Sequence, residues 1–128
     1  MQPLPPRRIP SHWIRPRLSA RRTGTRVGAL SDLQRVCGVG LYELDVLVRE
    51  REHPRGLEFA GQLTCADAIH VPAVEVPLTL VAADGVTPVC HTRSDDFGDF
   101  GFVRQPPAAY GLRVGVGDDA PCVLVWDP

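Results

Sequence analysis

Apolar and polar residues alternate along the chain from Tyr42 onward, in short runs without helical spacing. In the first run, 42–50, the apolar residues Leu44, Val46 and Val48 occupy every second position, and charged residues fill most positions between them. This period of two is that of a half-buried β-strand. Six further runs of this type follow, each at most nine residues long, over 57–65, 74–82, 89–94, 99–104, 110–116 and 122–126.

Residues that favour tight turns separate these runs, as in Ala83-Asp84-Gly85 and Gln105-Pro106-Pro107. Asp and Gly accept the conformations that hairpins require, and Pro ends a strand. Seven short strands at this spacing, with no helix long enough to connect parallel strands, predict a seven-stranded antiparallel Greek-key β-sandwich. The residues predicted to face its core are Leu78, Leu80, Phe100, Phe102, Leu112, Val114, Val123 and Val125.

The first 29 residues differ from the rest in composition. They contain five prolines, seven arginines and no acidic residue, so this segment carries a charge of +7. Because each proline fixes φ and removes a backbone donor, we predict a disordered, Arg/Pro-rich arm over 1–29. Residues 30–40 offer Ser31 or Asp32 as a helix cap before two glycines, which predicts a lead-in turn or short helix. The β-sandwich then occupies 41–128.

The overall composition limits the class of protein. The 128 residues are 44% hydrophobic and 23% charged, with 13 Pro and 12 Gly, which suits one domain of short elements. No apolar run reaches the roughly 18–20 residues of a membrane-spanning helix. Pro and Arg interrupt every window that would serve as the apolar centre of a secretion signal. We therefore expect a cytoplasmic protein with no membrane span, in which Cys37, Cys65, Cys90 and Cys122 are reduced.

Four motifs follow one another between 57 and 126. They are GQLT at 61–64, VEVPLTL at 74–80, TRSDDFGDFGF at 92–102 and YGLRV at 110–114. This order resembles the carboxypeptidase regulatory-like domain. The resemblance implies a transthyretin-like sandwich that serves as a structural, adhesive or accessory module, as in small single-module bacterial proteins, and it implies no peptidase activity. The matching structural positions are Gly61, Leu78, Asp95, Gly98, Phe100, Phe102 and Tyr110.

Three carboxylates lie close together in sequence in one predicted hairpin, at Asp95, Asp96 and Asp99. Calcium takes six to eight oxygen ligands, but Asp is also common in hairpins because its side chain bonds the turn backbone. The sequence leaves both interpretations open. A calcium- or carbohydrate-binding β-sandwich that uses this hairpin is therefore the alternative function, and no other cofactor is predicted.

The remaining chemistry-bearing residues do not predict catalysis or a zinc site. Cys65, Cys90 and the nearby histidines lack the usual spacing of zinc ligands. Ser94, His91 and Asp95 can be assembled into a triad on paper, but neighbours on one strand do not converge as a triad must, and no nucleophile elbow is present. We therefore predict that the chain is not an enzyme.

The arm is the predicted binding segment, because its cations attract an acidic protein partner. The rest of the chain is acidic, since the whole carries −1, and this argues against nucleic acid as the partner. An unpaired sheet edge, such as the first or last strand, is a second predicted surface, and the chain is expected to be a monomer or an edge-paired homodimer. The predicted partner-binding residues are Arg7, Arg8, Trp13, Arg15, Arg17, Arg21 and Arg22.

Overall fold

The computed structural model describes residues 10, 12–14, 17–18, 29–52, 55–68, 70–117 and 119–127. The regular structure of these residues is entirely β-strand. This part of the chain accordingly offers no helix of the length and hydropathy that crossing a bilayer requires. The strands are β1 (Arg17–Leu18), β2 (Ala29–Val39), β3 (Tyr42–Glu52), β4 (Arg55–Cys65), β5 (Pro77–Ala82), β6 (Pro88–Arg93), β7 (Asp99–Gln105), β8 (Tyr110–Val114) and β9 (Cys122–Trp126).

The strands form two antiparallel sheets. The first has the order β1-β2-β3-β4-β7 and the second the order β6-β5-β8-β9. The prediction of an all-β fold with two antiparallel sheets is confirmed, and the seven predicted strands correspond to β3–β9. The predicted strand number was too low, because eight strands have five residues or more and β1 adds a two-residue strand. The Greek-key order stays a prediction.

One hydrophobic core lies between the two sheets. All eight residues predicted to face it are buried. The first sheet contributes Leu44, Val46 and Val48 from β3 and Phe59 and Leu63 from β4. Burial of each large apolar side chain contributes about 1.5–3 kcal/mol relative to exposure, so this shared core is the main force holding the sheets together.

Two glycines of the carboxypeptidase regulatory-like motif stand where a side chain has no room. A β-carbon on Gly61 would collide with the ring of Phe100, which packs on the neighbouring strand β7. Gly98 has a φ of +78°, and a β-carbon there would collide with the carbonyl oxygen of Leu63. Both positions therefore require glycine for close approach, and Gly98 also requires it for its left-handed backbone.

The apolar motif positions belong to the core. Leu78 and Phe102 are buried, and the ring of Tyr110 meets that of Phe59 edge-on with centroids 5.7 Å apart. The Tyr110 hydroxyl donates a hydrogen bond to the Pro106 carbonyl over 2.6 Å. A buried aromatic ring with a satisfied hydroxyl is a stable arrangement, and it anchors the loop between β7 and β8.

Residues 30–40 are not the predicted lead-in turn or short helix, because 30–39 belong to the 11-residue strand β2 and Gly40 to the turn that follows it. Leu33, Cys37 and Val39 lie on the inward face of β2 with Arg35 between them, and β2 pairs with β3, where Cys37 lies opposite Leu44. The glycines expected to end a helix instead belong to a hairpin, in which Gly40 has a φ of +58°. A strand paired along its whole length outweighs the weak helix-capping signal at its start.

The predicted arm, 1–29, is described only at residues 10, 12–14, 17–18 and 29. Ile14 forms a parallel bridge with Val123 of β9, and β1 pairs with β2. The prediction of disorder does not hold for these residues, which contact both sheets. For the other residues of the arm, the prediction lies outside the described part of the chain.

Candidate functional site

Trp13, which was predicted from the sequence to bind a partner, is buried within the protein itself. Its side chain is 4% exposed and lies on the outer face of the second sheet. Gly111 leaves the space for the ring, since a β-carbon there would stand 2.5 Å from the indole carbons Cη2 and Cζ3. The assignment of Trp13 to partner binding is therefore wrong, because burying a large aromatic ring against apolar neighbours is favourable without any partner. These neighbours are Val81, Cys122 and Leu124.

The residues that follow the indole occupy the edge of the last strand. The Ile14 N–H donates to the Cys122 carbonyl over 2.8 Å, and the Leu124 N–H donates to the Ile14 carbonyl over 2.9 Å. At the first sheet, β1 pairs with β2 through Arg17 opposite Val36. The prediction that the first or last strand is open to a partner's strand does not hold at these positions. In the described part of the chain, β6 and β7 are the terminal strands at the other side of the two sheets.

The remaining predicted partner-binding residues are arginines. Arg17 lies in β1, and five others lie outside the described residues. Their predicted role in binding therefore stays a prediction. These five are Arg7, Arg8, Arg15, Arg21 and Arg22.

The Asp-rich hairpin uses its first carboxylate to form the turn. Oδ1 of Asp95 accepts hydrogen bonds from the N–H groups of Phe97 and Asp99, both over 2.9 Å. Within the described residues, no three His, Cys, Asp or Glu side chains stand together as metal ligands. Turn chemistry explains Asp95, and Asp96 and Asp99 are exposed carboxylates beside it. A calcium site at Asp95, Asp96 and Asp99 stays a hypothesis.

The side chain of Ser94 links two backbone segments. It is 2% exposed, its hydroxyl donates to the Ala73 carbonyl over 2.6 Å, and it accepts the Val76 N–H over 2.9 Å. His91 instead lies with Nδ1 3.0 Å from the Thr79 hydroxyl. The hydroxyl of Ser94 is therefore engaged on both sides by the backbone, and the prediction that the chain is not an enzyme stays a prediction.

The four cysteines are free thiols. Burial raises the pKa of Cys37 to about 11. Burial also raises the pKa of Cys122 to about 11, although the neighbouring Arg113 opposes the shift. Both groups are protonated at neutral pH, and a thiol in that form is a poor nucleophile.

A cleft of about 560 Å³ opens at the end of the first sheet, beside the β3–β4 hairpin. Strand pairing explains its composition. Arg51 lies opposite Gly56 at the end of the hairpin, and Leu57 lies opposite Gln105, which brings the end of β7 to the same place. Three arginines from three strands line the cleft together with Glu58: Arg51, Arg55 and Arg104. We call this site the arginine cleft.

Arg104 owes its position to a β-bulge. Between the pairs Phe59–Phe102 and Leu57–Gln105, β7 has one residue more than β4. Arg104 takes up the extra residue with a φ of +49°, and both it and Val103 are exposed as a result. A bulge of this kind changes the direction in which a side chain points. Here it directs the Arg104 guanidinium to the cleft, instead of leaving it in the regular alternation of side chains along β7.

The electrostatics of the arginine cleft are unbalanced. Nε of Arg51 donates to Oε2 of Glu58 over 3.2 Å, and both side chains are partly exposed. Among the described residues, Arg55 and Arg104 form no ion pair. Glu52 lies opposite Arg55 in the β3–β4 register, so three guanidinium groups meet the carboxylates of Glu58 and Glu52, and the cleft keeps a net positive charge.

A second pair of cavities lies on the same sheet, near the β2–β3 turn. They measure about 350 and 250 Å³ and share Gln62, Thr64 and His70. Glu43 and Asp45 line the first, which makes this end of the sheet acidic. The ring of Phe97, 72% exposed, lines the second together with Pro72.

Sequence reasoning missed the arginine cleft because it assigned function to the arginines of the arm. Arg51 and Arg55 carried a usable signal, since they flank a predicted turn and a hairpin places such residues side by side. Arg104 carried no such signal in the sequence. Its place depends on the pairing of β7 with β4 and on the bulge, which short-range patterns do not specify.

No family model, curated protein or solved structure matches the chain. The resemblance to carboxypeptidase regulatory-like domains therefore rests on the motifs between 57 and 126 and stays a prediction. Function must then be inferred from the geometry of the clefts.

Proposed function

We propose that this chain is a non-catalytic protein-interaction module that binds an acidic protein partner through the arginine cleft. We further propose that β3–β9 form a Greek-key sandwich of carboxypeptidase regulatory-like type, which serves as the carrier of this cleft. One observation carries the proposal: Arg51, Arg55 and Arg104, from three strands, line one cleft of about 560 Å³ in which Glu58 is the acidic residue.

The chemistry of arginine suits this role. A planar guanidinium binds a carboxylate with two parallel hydrogen bonds, and arginine is enriched among the residues that dominate protein interfaces. Pro106 and Pro107 form a stiff wall of the cleft. Val103, 74% exposed, lies beside it and offers an apolar contact to a bound segment. An extended acidic segment of a partner protein fits this combination of charge and apolar surface.

The arginines of the arm are proposed to act at longer range. Arg7, Arg8, Arg21 and Arg22 add positive charge to the same chain, and such charge raises the rate at which an acidic partner associates. Trp13 has no part in this proposal because it is buried. Removing the whole arm is a poor test, since truncation would also uncover the apolar face beneath Trp13.

The test is a titration of the full-length chain with a fluorescent peptide of alternating Glu and Gly, followed by anisotropy. The variant Arg55→Gln/Arg104→Gln is expected to bind the peptide at least about tenfold more weakly, because a hydrogen bond to a charged group contributes about 1.5–3 kcal/mol. Arg93→Gln, which removes an exposed arginine of β6 outside the cleft, is the matched control and should bind as the wild type does.

Salt dependence completes this experiment. Binding in the arginine cleft should weaken as ionic strength rises, because the groups are partly exposed. Neutralising Arg7, Arg8, Arg21 and Arg22 to Gln in the full chain should slow association and leave dissociation nearly unchanged. Equal affinity of Arg55→Gln/Arg104→Gln and wild type would contradict the proposal and return the binding role to the arm.

Carbohydrate binding at the Asp95–Asp99 hairpin is a second candidate function. The observation that favours it is the exposed ring of Phe97 beside a groove lined by Gln62, Thr64 and His70, since sites of this type combine an apolar surface with a few polar groups. Phe97→Ala should then abolish binding of a neutral oligosaccharide such as maltohexaose. The calcium part of this candidate requires that Ca²⁺ raise the melting temperature.

A further inference from the structure

We propose that the acidic partner of the arginine cleft is a second copy of this chain, docked face to face on the outer face of the first sheet. This inference rests on the proposed function of the cleft and names its partner. The outer face is the set of positions that alternate with the buried residues of β2, β3, β4 and β7. On β3 these positions run from Glu43 through Leu47 to Arg51.

Strand register sorts this face by charge. At one end, Asp45 lies opposite Gln62, which lies opposite Asp99, and Glu43 lies one row further out opposite Thr64. We call Glu43, Asp45 and Asp99 the acidic end. At the other end lie Arg51 and Arg104 of the arginine cleft, with Arg49 and Glu58 beside them, whereas Arg55 has the register of the buried residues of β4 and lies outside this face. The outer face therefore carries negative charge near the β2–β3 turn and positive charge near the β3–β4 hairpin.

The two ends do not neutralise each other within one copy. Asp45 and Arg51 are six residues apart on β3, which corresponds to about 20 Å along an extended strand. This distance exceeds the screening length of about 8 Å at physiological ionic strength. Asp45 accepts hydrogen bonds from Nε2 of Gln34, but this amide is neutral and leaves the charge in place, so each end retains its charge.

A two-fold axis matches these ends to each other. In a symmetric dimer the same surface is used twice, so an axis through the middle of the face sets the acidic end of each copy against the arginine cleft of the other. The row at the middle is Leu47, opposite Ala60, opposite Gly101. Ala60 and Gly101 are exposed and project little, which lets two sheets approach to the usual spacing of about 10 Å.

The size of the face is sufficient for a weak dimer. Four strands about 4.8 Å apart and nine residues of about 3.3 Å each give a face of roughly 19 by 30 Å. Two such faces bury on the order of 1,100 Å², just above the roughly 1,000 Å² of a specific interface. Because its ends are charged and partly exposed, the dimer should dissociate as ionic strength rises.

A charge-swap experiment on the full-length chain tests the inference by sedimentation velocity. Variant A, Arg51→Glu/Arg104→Glu, makes both ends of the face acidic, and variant B, Glu43→Arg/Asp99→Arg, makes both ends basic. Each variant alone is expected to be monomeric where the wild type dimerises. An equimolar mixture of A and B should dimerise again, because both contacts then join opposite charges. Glu75→Arg/Arg93→Glu, which alters exposed charges outside the face, should dimerise as the wild type does.

Three results would overturn the inference: a monomeric wild type, a dimer that survives in variant A and variant B, or a mixture of A and B that stays monomeric. A dimer that survives both swaps would place the contact at the edges of β6 or β7. The Glu/Gly peptide titration separates this failure from that of the proposed function. A monomeric chain that binds the peptide through Arg55 and Arg104 overturns the second copy as partner and leaves the proposed function standing.

Discussion

The indole of Trp13 occupies the space above Gly111 where any other residue would place its β-carbon. The ring therefore packs directly on the backbone of β8 at Gly111. A β-carbon at Gly111 would also stand 2.8 Å from Sγ of Cys122. Residues 10 and 12–14 are thus part of the folded sandwich. They cover an apolar face of the second sheet and pair with the edge of β9.

Gly111→Ala is expected to displace Trp13. Real β-carbons do not approach other atoms to 2.5 Å, so the ring must move away and uncover Cys122. The free energy of unfolding should fall by about 3–5 kcal/mol in Trp13→Ala, as for other buried aromatic residues, and by a similar amount in Gly111→Ala if the ring is expelled.

Two measurements check this prediction. Thermal unfolding gives the loss of stability, and the rate at which a thiol reagent modifies Cys122 reports whether the indole still covers it. Leu41→Ala is the control, because Leu41 is a large apolar residue that is exposed. Unchanged Cys122 reactivity in Gly111→Ala would show that the ring does not depend on that space.

The β-strands from Tyr42 onward could be predicted because their patterns are local. Period two marks β3, and Asp and Gly mark the turns that follow later strands. Strand β2 was missed because its apolar positions include Arg35, which faces inward where the pattern expects an apolar residue. Its Nε is buried, and burial lowers the pKa of this arginine.

Trp13 and Arg104 could not be placed from sequence for a different reason. The burial of Trp13 depends on a strand about a hundred residues away, β8, that happens to carry a glycine at the contact. Arg104 depends on a bulge formed with β4. Both are long-range relationships, and local propensity and periodicity contain no information on them.

Ser94→Ala is expected to destabilise the fold by about 2–4 kcal/mol, because it leaves a buried carbonyl at Ala73 and a buried N–H at Val76 without their partner. Chemical denaturation would measure this loss as a lower midpoint. Ser94→Thr keeps the hydroxyl and should retain most of the stability. Equal losses in both variants would mean that volume, not hydrogen bonding, decides this site.

The buried thiols predict a loss of stability in alkaline solution. The pKa of Cys37 and that of Cys122 are raised to about 11 in the folded chain, so the unfolded chain releases these protons at lower pH. Stability should therefore fall as pH rises from the usual thiol pKa of about 8.5 toward 11 and stay unaffected by these groups below that range.

The double variant Cys37→Ala/Cys122→Ala isolates this effect. Its melting temperature should fall less between neutral pH and pH of about 10.5 than that of the wild type, because the thiols no longer ionise on unfolding. Cys65→Ala/Cys90→Ala provides the matched comparison. A parallel decline in all three proteins would attribute the alkaline sensitivity to other groups.

The left-handed backbone of Arg104 predicts that stability and binding respond in opposite directions to one substitution. A non-glycine residue at a φ of +49° is less favourable than glycine by about 1 kcal/mol, so Arg104→Gly should leave the melting temperature unchanged or raise it. The same change removes a guanidinium from the arginine cleft, and affinity for the Glu/Gly peptide should fall severalfold. Val89→Gly, at an exposed valine of β6 outside the cleft, should lower stability and keep binding. If Arg104→Gly instead destabilised the chain, the side chain of Arg104 would stabilise the bulge through its contacts. The stability of the end of β7 and the binding in the cleft would then depend on the same residue.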